Sequence, residues 1–250
     1  MSRTAIATLF VIAALVLGIG TAGMYLRDRL NERNLSAKEQ KRQDVSVTIV
    51  EGKRREEIAI TLETAGICSA EAFLAATTKL EGTLFPDTYR FFPSTPVAEV
   101  VATFTTTFAK RTRELAPTTS DIILASIIER EARDDAERAT ISGVYTNRLK
   151  RGMKLDADPT VQYARDTAEA KQTLTFTYWG TITRADYKGV ISPYNTYLNA
   201  GLPPGPIANA GVQSIAAAQN PATHDYLYFA HRDGKLLLSK TLAEHESKLR

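Results

Sequence analysis

Cysteine occurs once in the 250 residues, at Cys68, and histidine three times, at His224, His231 and His245. A lone cysteine makes no intramolecular disulfide, so it does not reveal the redox compartment, and it reads as a small buried hydrophobe. The chain also lacks H-E-x-x-H, C-x-x-C, G-x-S-x-G and P-loop motifs. A histidine-based metal site or nucleophilic triad therefore has little support, and each histidine reads as a surface or hydrogen-bonded residue. Neither a metal nor a cofactor is expected. An excess of one charge sign is missing too: 31 Lys and Arg against 28 Asp and Glu give a net +3, with the basic residues dispersed. Without a basic stripe, nucleic acid is not expected as a partner.

The amino-terminal segment lacks charge altogether from Ala5 to Leu26 (AIATLFVIAALVLGIGTAGMYL). That is about the length a helix needs to cross a bilayer, so residues 1–26 read as a short tip and a membrane span. A cleaved signal peptide, with Arg3 as its basic start and small residues near Ala22, is the rival reading. GIGTAG within it matches G-x-G-x-x-G in letters only, since no strand precedes it and no βαβ unit surrounds it. Arg27, Arg29, Arg33 and Lys38 outnumber Arg3, which by charge alone favours a cytoplasmic carboxyl side. That rule weakens for long following domains, so orientation stays open at this point. Residues 27–43 are polar and charged and read as a solvated stalk.

What is present after the stalk is an α+β pattern. Val45, Val47 and Ile49 alternate with polar residues as one face of a strand, and Ile58, Leu62 and Ala65 follow at helical spacing up to Gly66. Ser69 caps a second short helix carrying Phe73 and Leu74, which closes a small unit at 44–78. From 79 to 250 a larger domain is expected. GTLFPDTYRFFP reads as strand and turn, and Thr95 and Pro96 open a helix with Val97, Val100, Val101, Phe104 and Phe108 on one face. TTSD, residues 118 to 121, caps the next helix, and a third runs from about Asp135 to Arg151 and ends at Gly152. Beyond it, YLYFA and KLLL read as strands in a Gly-, Pro-, Asn- and Tyr-rich region.

LASIIEREARDD, Leu124 to Asp135, carries two glutamates two residues apart. At about 100° per residue, Leu124, Ile127 and Ile128 lie within roughly 60° of Glu131, which places Glu131 on the apolar stripe. Glu129 points the other way, where an exposed i,i+4 pair with Arg133 accounts for it. A glutamate among aliphatic side chains needs a partner or a purpose. The purpose would be general-acid chemistry, because desolvation holds the carboxyl protonated near neutral pH. The partner would be Arg138, which shares the face if the helix continues. Geometry alone leaves both open.

Taken in order, ASIIEREA, ISGVYTNRLKRGMKLDADPTVQYA, SPYNTYLNAGLPPGPIANAG and YLYFAHRDG with SKTLAEHE resemble the endolytic murein transglycosylase, or YceG-like, family over residues 45–250. GTLFPDTY falls at the family's spacing as well. The unit containing VTIVEGKRREEIA resembles the LysM-like subdomain of the same proteins. The resemblance implies a single-pass inner-membrane anchor, a periplasmic catalytic domain, and glycan strands of peptidoglycan as substrate, with cell-wall synthesis proteins as further partners. It sets the orientation against the charge count.

The resemblance also implies that Glu131 is the catalytic acid, in agreement with the helix face. Asn147 and Arg148, Asp158 and Thr160, and Tyr194, Asn195, Thr196 and Tyr197 match cleft-lining segments, and Pro203 and Gly205 fall in a proline-rich loop. Each has a bland alternative in turn chemistry or backbone bonding. Two departures stand out. The ordered region starts near VTIVEG, without the extra amino-terminal subdomain of longer members, and Leu236 and Leu238 replace a frequent His-x-Phe. Three activities remain in view: a lytic transglycosylase using Glu131 alone, a muramidase-type hydrolase with Asp158 as second carboxylate, and a silent glycan-binding scaffold.

Overall fold

The computed structural model describes residues 43–250 together with Met24, Arg27, Arg29 and Leu30, which are helical. The expected membrane span at 5–26 and most of the stalk lie outside the described residues. Among the described residues no helix is long and apolar enough to cross a membrane. Residues 45–250 form one compact unit, with mixed helices and two small sheets built around two hydrophobic clusters.

The first cluster is made by β1 (Val45–Thr48), α1 (Arg55–Thr64), α2 (Ala70–Ala76), β2 (Thr88–Phe91) and α3 (Val97–Arg111). β1 and β2 pair antiparallel, Val45 opposite Phe91 and Thr48 opposite Thr88. Strand alternation turns Val47, Tyr89 and Phe91 inward onto Ile58, Leu62, Phe73 and Phe104. Phe104 is the hub, with ring centroids 4.3 Å from Tyr89 and 6.0 Å from Phe73. Gly66 ends the α1 region at φ 69°, a conformation that costs glycine nothing. This cluster runs from Val47 to Phe104 and so crosses residue 78, where the sequence reading drew the edge of the small unit. The crossing follows from the pairing of β2 with β1, which period-2 patterning reveals as strands but not as partners.

The second cluster surrounds α4 (Thr119–Glu131), whose Leu124, Ala125, Ile127 and Ile128 are all buried. Thr118 and Asp121 form its capping box, the expected use of TTSD. Around α4 lie α5 (Asp135–Lys150), α6 (Asp158–Ala170) and α8 (Val212–Gln219), with the short α7 (Asp186–Gly189) further along the chain. β3 (Tyr228–Arg232) and β4 (Lys235–Ser239) form a hairpin on which α9 (Leu242–Leu249) packs. The hairpin turns on Asp233 and Gly234, both at positive φ, as a tight primed turn requires.

α4 does not run on into α5. It stops at Glu131, Ala132 is extended, and Asp134 starts a new helix by accepting from the amides of Ala136 and Glu137. That break decides where the two glutamates go.

Candidate active site

Glu131 occupies the last residue of α4, at the floor of a cavity of about 460 Å³. Its carboxylate Oε1 accepts a 2.9 Å hydrogen bond from the Tyr145 hydroxyl. Burial raises the Glu131 pKa to about 7, the Tyr145 bond opposes that rise, nearby Asp158 adds to it, and Arg130 offsets part of it. Burial and the adjacent carboxylate push the Tyr145 phenol well above its ordinary value, so it remains a donor. Tyr145 was missed from the sequence. The signal was present: a tyrosine between Ile141 and Arg148 on the buried face of α5 must find a partner for its hydroxyl.

Arg138 does not pair with Glu131. The helix break moves it onto α5, where its guanidinium meets Glu129 at 2.9 Å and Asp135 at 2.6 Å, and its Nε donates to Ser214. Glu129 is likewise not the exposed partner of Arg133. Its side chain is 6 % exposed and also accepts from the Gly211 amide at 3.0 Å. The helix wheel gave its direction away from the aliphatic stripe correctly, but α5 and the start of α8 cover that side too. A Cβ at Gly211 would displace the half-exposed Glu51 carboxylate, which lies against that glycine. Glu129 thus anchors the end of α4, and Glu131, one residue beyond Arg130, is left facing the cavity. Arg130 itself lies 4.1 Å over the Trp179 ring, whose indole N–H donates to Glu57 at 2.8 Å.

Of the other residues singled out from sequence, three line the cavity with Glu131: Arg148, Asp158 and Tyr197. Tyr197 donates to the Asp158 carboxylate at 2.6 Å and stacks on Tyr187 at 4.1 Å. Burial, and then that bond, raise the Tyr197 pKa and keep its proton in place. Arg148 is spent on structure as well as lining. It donates to the carbonyls of Leu227 and Leu155 and pairs with Asp156 at 3.0 Å, which fixes the cavity wall.

The remaining candidates brace rather than line the cavity. Asn147 donates to the carbonyls of His224 and Tyr226, tying α5 to the segment before β3. The Thr160 and Thr196 hydroxyls meet at 2.9 Å, and Thr196 also accepts from the Ala157 amide. Asn195, fully buried, donates to the Tyr187 and Val190 carbonyls and accepts from the Tyr197 amide. These three therefore place Tyr187, Tyr197 and the start of α6. Tyr194 packs its ring on Tyr163 at 4.9 Å, and Gly205 lies beneath its hydroxyl, where a Cβ would be 2.9 Å away. Pro203 is buried. None of Tyr194, Pro203 and Gly205 lines the cavity around Glu131.

Sequence reasoning missed Tyr187, on α7, and Tyr228 as lining residues, and read His231 and His245, which also line the cavity, only as surface or hydrogen-bonded residues. His231 meets Glu137 at 2.9 Å and His245 stacks on Tyr228 at 5.5 Å. They come from the carboxyl-terminal hairpin and α9, and no local pattern connects those elements to Glu131. Leu238 pairs opposite Phe229 in the hairpin, and Leu236 packs against the second cluster. Among the described residues no three His, Cys, Asp or Glu side chains gather as a metal site.

A buried carboxyl with its pKa raised to about 7, in an aromatic-walled cleft with a second carboxylate nearby, has the chemistry of a general-acid site. The chain belongs to the YceG-like family, whose model matches residues 18–250. Two relatives are named endolytic murein transglycosylase. The Bacillus subtilis protein is 39% identical over 66% of this chain and 46% of its own length. The Streptococcus pneumoniae D39 protein is 29% identical over 67% of this chain and 31% of its own length. The chain thus spans less than half the length of these relatives. A YceG-like protein of Listeria monocytogenes, solved by crystallography, aligns at 31% identity and a TM-score of 0.70, covering 82% of this chain and 76% of that one.

Proposed function

We propose that this chain is an endolytic lytic transglycosylase that cuts peptidoglycan glycan strands between N-acetylmuramic acid and N-acetylglucosamine, with Glu131 as its catalytic acid. The observation that carries the reading is the Glu131 carboxyl at the end of α4, which lines the cavity and has its pKa raised to about 7 by burial. In the ground state it holds the proton that the departing glycosidic oxygen needs. As the bond breaks, an oxocarbenium-like centre develops, and the new Glu131 carboxylate takes a proton from the muramyl C6 hydroxyl. That oxygen closes on C1 and gives a 1,6-anhydro end. The Tyr145 hydroxyl stabilises the carboxylate it faces at 2.9 Å, which suits a group that must both give and take a proton.

A second reading is hydrolysis, favoured by one observation: Asp158 lines the same cavity and acts electrostatically on Glu131. A paired carboxylate of that kind would activate water or form a covalent intermediate. Under either mechanism Glu131→Gln removes cleavage while keeping the fold, and wild-type activity falls as pH rises through about 7, because the acid loses its proton. A Glu131→Gln protein that still cuts strands would remove the acid from the account.

We also propose that the unit at 44–78 with its β2 partner is LysM-like and holds glycan, a reading supported by its strand–helix–helix–strand order. The Glu131→Gln protein should still co-sediment with glycan strands, and loss of co-sedimentation would count against this role. The uncharged stretch Ala5 to Leu26 supports a membrane anchor, and membership of the YceG-like family supports a catalytic region in the periplasm, against the flanking charges. A reporter fused after Arg250 that works only in the cytoplasm would refute that topology.

A further inference from the structure

The cleft does not end at the carboxylate-bearing cavity. Tyr187 and Tyr197, stacked at 4.1 Å with their planes 13° apart, form a partition with a second cavity on its other side. That second cavity is lined by the same two tyrosines with Lys154, Arg184, Lys188 and Leu198. Its charges are of one sign. On the Glu131 side the lining includes three carboxyl groups, Glu131, Asp156 and Asp158, whereas on the far side it includes three cations and no acid.

The cations are available. Arg184 and Lys188 are exposed and have no carboxylate within ion-pair distance among the described residues. Lys154 donates to the Tyr197 carbonyl at 2.9 Å, which fixes its ammonium at the cavity wall and leaves other N–H bonds to offer. The wall itself is held in place: buried Asn195 bonds the Tyr187 and Val190 carbonyls and the Tyr197 amide. Three like charges that no internal acid neutralises repel one another, and a bound anion relieves that repulsion.

We propose that this second cavity is a subsite for a substrate carboxylate, so that the enzyme recognises an acidic substituent of the glycan strand beside the bond it cuts. The inference rests on the proposed glycan-strand substrate. Two sources of carboxylate occur on such strands: the stem peptide and, where the peptide has been removed, the lactyl group of the muramyl residue. The tyrosine partition provides an apolar face for a sugar ring, and the cations beyond it take the charge the ring carries. This arrangement also keeps the substrate's negative charge away from Glu131, whose protonation a nearby anion would otherwise shift.

The test uses the full chain in detergent, with Arg184→Glu and Lys188→Glu combined, on three strand preparations: with stem peptides, stripped by an amidase, and with all carboxyl groups methyl-esterified. Both substitutions are at exposed positions outside the Glu131 cavity. The expected result is a loss of about fivefold or more in kcat/KM, carried by KM, on strands that keep the relevant carboxylate, fading at high salt. Loss confined to stem-bearing strands assigns the stem-peptide carboxylates, loss confined to stripped strands assigns the lactyl carboxylate, which is free only there, and loss on both shows that the subsite takes either. Esterified strands should be cut equally by both proteins. Equal rates on every preparation, or the same loss on esterified strands, would overturn the proposal. Co-sedimentation of the three preparations with Glu131→Gln, with and without the charge reversals, reads the subsite even if no strand is cut.

Discussion

At the scale of single residues, Glu129 and Glu131 separate by environment rather than by chemistry. Both are glutamates on one helix, yet one is paired to Arg138 at 2.9 Å and the other, among the described residues, accepts from a phenol at 2.9 Å and has no ion pair. The pairing makes a prediction opposite to that for an exposed residue. Glu129→Gln should lower stability by about 2 kcal/mol or more, because it leaves Arg138 short of a buried counter-charge. It should also reduce cleavage by displacing the end of α4, and a denaturation midpoint matching wild type with full activity would refute the anchoring role. The burial of Glu131 was legible from Leu124, Ile127 and Ile128, because one helical face was enough to place its side chain. The role of Glu129 was not, since a helix wheel shows which way a side chain points but not what covers it. The break at Ala132, which sends Arg138 to Glu129, is local: Asp134 caps a new helix, in keeping with the helix read from about Asp135 in the sequence.

At the scale of elements, the strands and the helices up to Lys150 followed their patterns, whereas α6, α8 and α9 formed where the sequence reading had only strands, and the strand pairings did not show in the chain. β1 and β2 are 40 residues apart in register at Thr48 and Thr88, and nothing local to either says that they meet. The same holds for the carboxyl-terminal hairpin, which brings Tyr228 and His231 to a cavity floored by α4. Candidates drawn from turn-rich segments divided into two groups. Asp158 and Tyr197 reached the cavity, whereas Thr160, Asn195 and Thr196 closed the backbone bonds that hold it open. One contact between elements is tight enough to test. Gly143 lies where α5 passes the segment at Ala222 and His224, and a Cβ there would stand 2.4 Å from the Ala222 carbonyl oxygen. Gly143→Ala should therefore destabilise by about 1–3 kcal/mol, despite a helix-propensity gain of about 1 kcal/mol. A melting temperature above wild type would show that the segment moves aside freely.

At the scale of the whole described unit, two clusters joined by α3, with Phe104 in one and Phe108 against the other, present a cleft at the end of α4. Its acid is buried and its walls are aromatic, and the fold leaves Asp158 close enough to be a rival nucleophile or base. The central claim is that Asp158 does not take that role and that the sugar supplies its own nucleophile. The direct test is digestion of glycan strands by the full chain in heavy-oxygen water, followed by mass spectrometry of the new ends. Glu131 acting alone predicts 1,6-anhydro-muramic acid ends that carry no heavy oxygen. Reducing ends bearing the label as the main product would contradict it and assign the reaction to hydrolysis.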